Sequence, residues 1–131
     1  MAQIHCVVVT PETTVIDEKV DFVALPLYDG EAGIGSNHSP MIGRMGHGEM
    51  RLKMSSGERS YYVDGGFVQV SDNVVSVLTN RAVPANELNR DEAQALMDKA
   101  NQMEARSVEL MAIRDRMMSQ ARGQLRMLSK P

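Results

Sequence analysis

Three histidines, one cysteine and seventeen carboxylates are the residues of this 131-residue chain with chemistry to offer. A metal centre draws on His and Cys ligands at short, regular spacings. His38 and His47 sit in glycine-containing stretches, with no Cys-x-x-Cys or His-x3-His pattern near them. His5 and Cys6 are neighbours on an apolar segment. On a strand they point to opposite faces, so they do not easily share one ion. Cys6 reads most simply as a small buried hydrophobe, and a lone cysteine makes no internal disulfide. There is also no Gly-x-Ser-x-Gly nucleophile turn, no Gly-Lys-Ser/Thr phosphate loop and no Gly-x-Gly-x-x-Gly fingerprint. The residues predict no assembled active site. A small metal-dependent enzyme built on His5, His38 and His47 is the weakest of the readings.

Asp29–Pro40 is the stretch that stands out. It packs three glycines, His38 and Pro40 into twelve positions. Structurally it reads as a corner where the chain leaves one sheet for another, with glycines taking positive φ. Functionally, a polar loop at one end of a rigid sandwich is where partner contacts are built. Both readings stand at this point. Gly65-Gly66, ahead of Phe67, reads first as a tight turn or bulge and second as a contact site.

Elements must hold these residues, and composition shows which. The length corresponds to about one domain, at ~100–200 residues each, and is enough to bury roughly two-thirds of the unfolded surface. Hydrophobic residues make up 43% and charged residues 24%, a globular balance. A formal net charge of −3 gives no electrostatic reason to expect nucleic acid as partner. No stretch approaches the ~20 apolar residues of a membrane span. Met1–His5 lacks a basic region followed by an apolar one, so no signal peptide is expected, and the single cysteine fits a reducing compartment.

The two parts of the chain are built differently. Residues 1–84 hold nine of the ten glycines and 13 of the 14 valines, whereas residues 85–131 hold only Gly123 and Val108. Valine suits a pleated surface, while Ala, Leu, Met, Gln, Glu and Arg lose little on entering a helix. A β part over 1–84 and an α part over 85–131 follow. Glu49–Met54 alternates strictly, with Met50, Leu52 and Met54 on one face. Ser55–Glu58 then reads as a turn and Arg59–Val63 as the returning strand, and Asp72-Asn73 separates Phe67–Val70 from Val74–Leu78 in the same way. His5–Val9, Val20–Leu27 and that last pair are apolar at most positions, which fits strands covered on both faces. Short strands at this spacing predict a β-sandwich or flattened barrel.

Asn89-Arg90-Asp91-Glu92 carries the N-cap residue and third-position Glu of a capping box. Leu96, Met103, Leu110 and Met117 recur every seven residues, with Met111, Met118 and Leu125 as a second row. This makes an apolar stripe, with Arg106, Asp115, Arg116 and Gln120 left for water. No Gly or Pro interrupts 85–122, but Ser107 can cap a second helix. An antiparallel pair over 89–105 and 107–129 hides both stripes, and is preferred to one long helix.

Three stretches, taken in order, point to a family. Gly30-Glu31-Ala32-Gly33-Ile34-Gly35-Ser36-Asn37-His38-Ser39-Pro40 follows a Gly-Glu-x-Gly-Ile-x-x-x-His-x-Pro pattern, and Gly65-Gly66-Phe67-Val68-Gln69-Val70 precedes an Asn turn and a Val-rich strand. Ile4–Thr10 with Pro11 and Glu12 completes the set. Together they resemble the epsilon subunit of bacterial and chloroplast F-type ATP synthases, called delta in mitochondria. The resemblance implies an α+β protein, a ten-stranded β-sandwich (1–84) followed by an antiparallel helical hairpin (85–131). It implies a non-catalytic rotor subunit on the central stalk, bound to gamma and seated on the c-subunit ring. The setting it implies is the cytoplasmic face of the bacterial inner membrane, peripherally bound, or else the chloroplast thylakoid. Glu31 matches the family's c-ring contact and His38 its gamma contact. The C-terminal helices of the family fold down on the sandwich or extend along gamma to the catalytic alpha/beta head, where they inhibit ATP hydrolysis. The other reading kept open is a free-standing β-sandwich binding module.

The chain departs from the family in its first C-terminal helix. Ile/Leu-Asp-x-x-Arg-Ala, which helps bind a regulatory ATP in many members, stands here as Leu88-Asn89-Arg90-Asp91-Glu92-Ala93. Arg122 and Arg126 remain where the second helix supplies basic residues for inhibitory or nucleotide contacts. An anion gained and a cation lost beside a polyphosphate predict poor ATP binding, and no other cofactor is expected. Gly35-Ser36 replaces an apolar residue and a proline, which loosens that loop. Residues 85–131 carry a net charge of +1 against −4 for 1–84. A basic helix suits an acidic surface on the head, although a solvated face accounts for the same charges.

Overall fold

Ten strands form from the valine-rich part: β1 (Ile4–Val9), β2 (Thr14–Val20), β3 (Phe22–Leu27), β4 (Gly30–Ile34), β5 (Met41–Arg44), β6 (His47–Met54), β7 (Gly57–Asp64), β8 (Phe67–Ser71), β9 (Val74–Leu78) and β10 (Ala82–Pro84). The computed structural model describes residues 3–130; Met1, Ala2 and Pro131, and with them the reading of the chain's start, lie outside the described residues. Sheet A has the order β2-β1-β9-β8-β5 and sheet B the order β10-β7-β6-β3-β4. Only the β1–β9 pair is parallel among the pairings of the named strands. Inward residues of the two sheets meet in one core, with Ile4, Cys6, Val8, Val68, Val70, Val75 and Val77 against Val23, Leu25, Met50, Leu52 and Val63. Each such side chain, fully buried, contributes roughly 1.5–3 kcal/mol. Burial pushes the Cys6 thiol up to about 12, with Arg59 opposing weakly.

The turns follow the local residues. Asp72 and Asn73 both take positive φ, 51° and 61°, the arrangement that matches the right-handed twist of the strands they join. Asp29–Pro40 divides. Gly30–Ile34 is an edge strand paired with β3, and residues 35–40 carry the chain from sheet B to sheet A. The corner reading therefore holds for the second half, where Asn37 rather than a glycine takes positive φ (62°). Val20–Leu27 is not one strand. The chain breaks at Asp21, whose N–H donates to the Lys53 carbonyl at 2.8 Å.

A further difference concerns coverage. β1, β8 and β9 bury alternate residues only, and Val74, Leu78 and Phe67 lie exposed on the outer face of sheet A. The expectation of strands covered on both faces fails there. The apolar outer row has no partner within the described residues.

After a 3-10 turn at Ala85–Glu87 come α1 (Arg90–Gln102) and α2 (Val108–Leu128). The Asn89 side chain accepts the Glu92 N–H at 3.1 Å and Ser107 Oγ accepts the Leu110 N–H at 3.1 Å. A cap of this kind adds about 1 kcal/mol. Met103 and Ser107 are extended at negative φ, so the hairpin turn needs no glycine. It ends α1 earlier than the predicted 105 and takes Met103 out of the stripe. Leu110 and Met111 are accordingly left exposed. Ala93, Ala100 and Ala121 are buried, small residues that bring helices close.

Candidate functional site

α2 lies across β6 and β7, on the outer face of sheet B. Its closest approach is at Gly123, where a β-carbon would fall 2.8 Å from the His47 carbonyl oxygen and 3.2 Å from the Tyr62 ring. Gln124 and Met127 are buried on the same helix. One turn earlier, Gln120 Nε2 donates to both oxygens of Asp64, at 3.1 Å each. Gln120 is thus not left for water, as its place on the polar face of the stripe predicts.

Asp64 ends β7 and is 7% exposed. His47 Nε2, from the first residue of β6, stands 3.1 Å from Asp64 Oδ1, and the Tyr62 hydroxyl donates to the same oxygen at 3.5 Å. The two strands are in register at His47 and Asp64. Burial raises the Asp64 pKa, but hydrogen bonds from His47 and Gln120, then the charges of His47 and Arg81, outweigh it and hold the carboxyl below its ordinary value. Burial, then the neighbouring Asp64, push the Tyr62 hydroxyl well up.

Glu31 lies on edge strand β4 and pairs with Arg51 Nη2 at 3.0 Å. Arg51 also meets Glu49 at 3.5 Å, and Glu49 in turn binds Lys130 beyond the end of α2. Glu31, Glu49, Arg126 and Lys130 line one cleft between α2 and sheet B. Arg122 lines the adjoining cleft with Arg44, Arg116 and His47. Neither cleft includes Asn89 or Glu92.

His38 is half-buried in the crossing between the sheets, with Nδ1 2.7 Å from the Ser39 carbonyl. The neighbouring Asn37 N–H donates to Asn73 Oδ1 at 2.6 Å, which ties the crossing to the β8–β9 turn. His5 pairs with Asp17 on β2. Each histidine has its own partner, and no group of three His, Cys, Asp or Glu among the described residues is placed to hold a metal ion.

The structure therefore joins Glu31 to the Arg126 end of α2 and leaves His38 elsewhere. Asp64, Gln120 and Gly123 are the residues that sequence reasoning passed over. Gly123 carried a signal, as the lone glycine of the helical part, because glycine inside a helix is costly unless backbone must come close.

On the outer face of sheet A, Val9, Leu78, Phe67 and Arg44 stand opposite one another across four strands. Phe67 is 59% and Leu78 58% exposed. Nearby, the Arg44 guanidinium lies 4.6 Å over the Tyr28 ring.

The fold is that of a ten-stranded β-sandwich with a helical hairpin laid on one face and an exposed apolar row on the other. Residues 3–85 match the ATP synthase delta/epsilon chain β-sandwich domain. The chain belongs to the family of ATP synthase epsilon chains. It is 51% identical over 123 residues to the epsilon chain of Rhodopirellula baltica, covering 94% of this chain and 96% of that one. To the epsilon chain of Rubrobacter xylanophilus it is 36% identical over 98 residues, 75% of this chain and 67% of that one. Two solved assemblies contain the same fold. A chain of the Euglena gracilis mitochondrial ATP synthase (OSCP/F1/c-ring, rotational state 1) superposes with a TM-score of 0.87 at 20% identity, over 98% of this chain and 82% of that one. One from the central stalk and c-ring of the Tetrahymena thermophila mitochondrial enzyme gives 0.75 at 14% identity, over 93% of each. No helix of the described residues is long and apolar enough to cross a membrane.

Proposed function

We propose that the chain is a non-catalytic central-stalk subunit that binds gamma and the c-ring, couples proton flow to ATP synthesis, and restrains hydrolysis through residues 85–131. The observation that carries this is the division of the sandwich into two outer faces. Sheet B carries the hairpin, whose α2 buries Ala121, Gly123, Gln124 and Met127. Sheet A leaves Phe67, Leu78 and Val9 in a row that reads in sequence as covered on both faces. A partner on sheet A accounts for that pattern, since apolar rows in water are stabilised by being covered. Gamma is the partner assigned to it, with His38 at the same sheet's connecting loop. Glu31 is assigned to the c-ring and the basic face of α2 to the alpha/beta head. The membrane side is the cytoplasmic one in a bacterium.

Regulatory ATP is assigned little role. Arg122 and Arg126 face clefts shared with strand residues, and Asn89 and Glu92 lie outside those clefts.

ATP hydrolysis by an epsilon-free complex that contains gamma, titrated with the full chain and with a chain stopped at Pro84, tests the reading. Core residues of the sandwich all precede Pro84, so the shortened chain keeps them. Inhibition by the full chain, and binding without inhibition by the short one, is the expected pair of results. Binding by neither favours a free-standing binding module instead.

A further inference from the structure

We propose that Asp64 and Gln120 form a clasp that holds the hairpin on sheet B and sets how readily it leaves. This rests on the reading of residues 85–131 as a brake. The contact between α2 and the sandwich is narrow. Of the four buried residues of α2, Ala121 is small, Gly123 has no side chain, Gln124 is polar and Met127 supplies the one large apolar group. With one large apolar group among them, polar ties weigh heavily in the balance, because bonds to charged groups are the stronger ones. Gln120–Asp64 is the tie within α2, and Lys130–Glu49 lies beyond its end.

The pair is also suited to opening. Asp64 is buried while docked, at 7% exposure, and bonds His47 at 3.1 Å within the sandwich. When α2 lifts, water replaces Gln120 and His47 stays, so no charge is stranded in an apolar setting. Gln120 is neutral and leaves into solvent at little cost. A salt bridge at the same place would hold more tightly and an apolar pair would leave a sticky face behind. Tyr62, beneath Gly123, and Arg81, near Asp64, complete the fixed half of the clasp.

The test is a charge series at position 120 in the full chain. Spin labels on Ser56→Cys, in an exposed turn, and Val108→Cys, 79% exposed at the start of α2, report docked and lifted populations by pulsed spin resonance. Cys6 is buried with its thiol raised to about 12, so it does not compete for label. Gln120→Ala and Gln120→Glu are expected to raise the ratio of lifted to docked chains about tenfold or more, Glu most. Gln120→Lys gains a charge pair with Asp64 and is expected to lower the ratio. All three substitutions preserve or improve helix propensity, so folding is not at issue. Equal distance distributions in parent and variants overturn the clasp, as does equal lifting by Ala, Glu and Lys. The same variants are then titrated into the gamma-containing catalytic complex. Hydrolysis inhibition that rises with the lifted fraction supports both clasp and brake. Lifting that follows the charge series without any change in inhibition keeps the clasp and overturns the brake.

Discussion

Gly123 of α2 rests on His47 of β6 so closely that a β-carbon would stand 2.8 Å from the His47 carbonyl oxygen. The nearest atoms there are backbone, which cannot swing aside as a side chain can, and the Tyr62 ring closes the space at 3.2 Å. The helix therefore has one seat on the sheet, and its position is set by the residue it lacks.

Gly123→Ala tests that seat. Alanine favours an isolated helix by about 1 kcal/mol over glycine, yet here it pushes α2 off β6. Hydrogen exchange of the amides of residues 120–128 is expected to speed up while the strands keep their protection. Unchanged exchange across α2 would show that the helix shifts without undocking.

Arg51 gathers Glu31, Glu49 and Glu58 at 3.0, 3.5 and 3.9 Å. Exposed pairs contribute about 0–1 kcal/mol each and are screened by salt. Arg51→Ala is expected to lower the denaturation free energy by about 1 kcal/mol in low salt and by less in high salt. Glu31→Gln is expected to cost under about 0.5 kcal/mol in stability but to weaken attachment to the c-ring. Loss of stability matching the loss of attachment would remove Glu31 from the interface.

Acid should weaken the fold around Asp64. Asp64 is faced by His47 from β6, Tyr62 on β7, Gln120 from α2 and Arg81 ahead of β10, and its carboxyl is held below the ordinary 3.8. A lowered carboxyl pKa adds stability that is present above the ordinary value and lost as pH falls through the folded one. The stability of the full chain is expected to show an early acid step below pH 3.8, as the carboxyl that His47 and Gln120 bond is protonated. In Asp64→Asn this early step should vanish; its survival would assign it to other carboxyls.

Phe67 and Leu78 contribute little to the sandwich, being more than half exposed. Phe67→Ser with Leu78→Ser is expected to shift the denaturation midpoint by under about 0.5 kcal/mol equivalent and to weaken gamma binding about tenfold or more, as loss of a central apolar anchor does. Full binding by the double variant would move the interface off this row.

Calorimetric titration with ATP is expected to give little heat in the parent chain. Asn89→Asp with Glu92→Arg, which replaces the carboxylate at 92 by a cation, is expected to raise affinity. Tight ATP uptake by the parent would overturn the assignment of Asn89 and Glu92 as the cause.

Local chemistry was legible in the residues themselves. Alternation over 49–54, the Asp72-Asn73 turn and the caps at Asn89 and Ser107 each depend on neighbours in the chain, so a strand, a turn and two helix starts could be read directly. Glu31 and His38, which share one glycine-rich stretch of the sequence, separate in the fold: Glu31 sits on edge strand β4 and His38 in the crossing between the sheets. Tertiary structure alone decided what meets across the sandwich. Asp64 and Gln120 are 56 residues apart, and no periodicity of strand or helix ties one to the other. Nor did periodicity show that α2 covers sheet B and leaves sheet A bare. An apolar run records that a face is to be covered, and not whether its own chain or another one covers it, because the driving force is removal from water and has no direction.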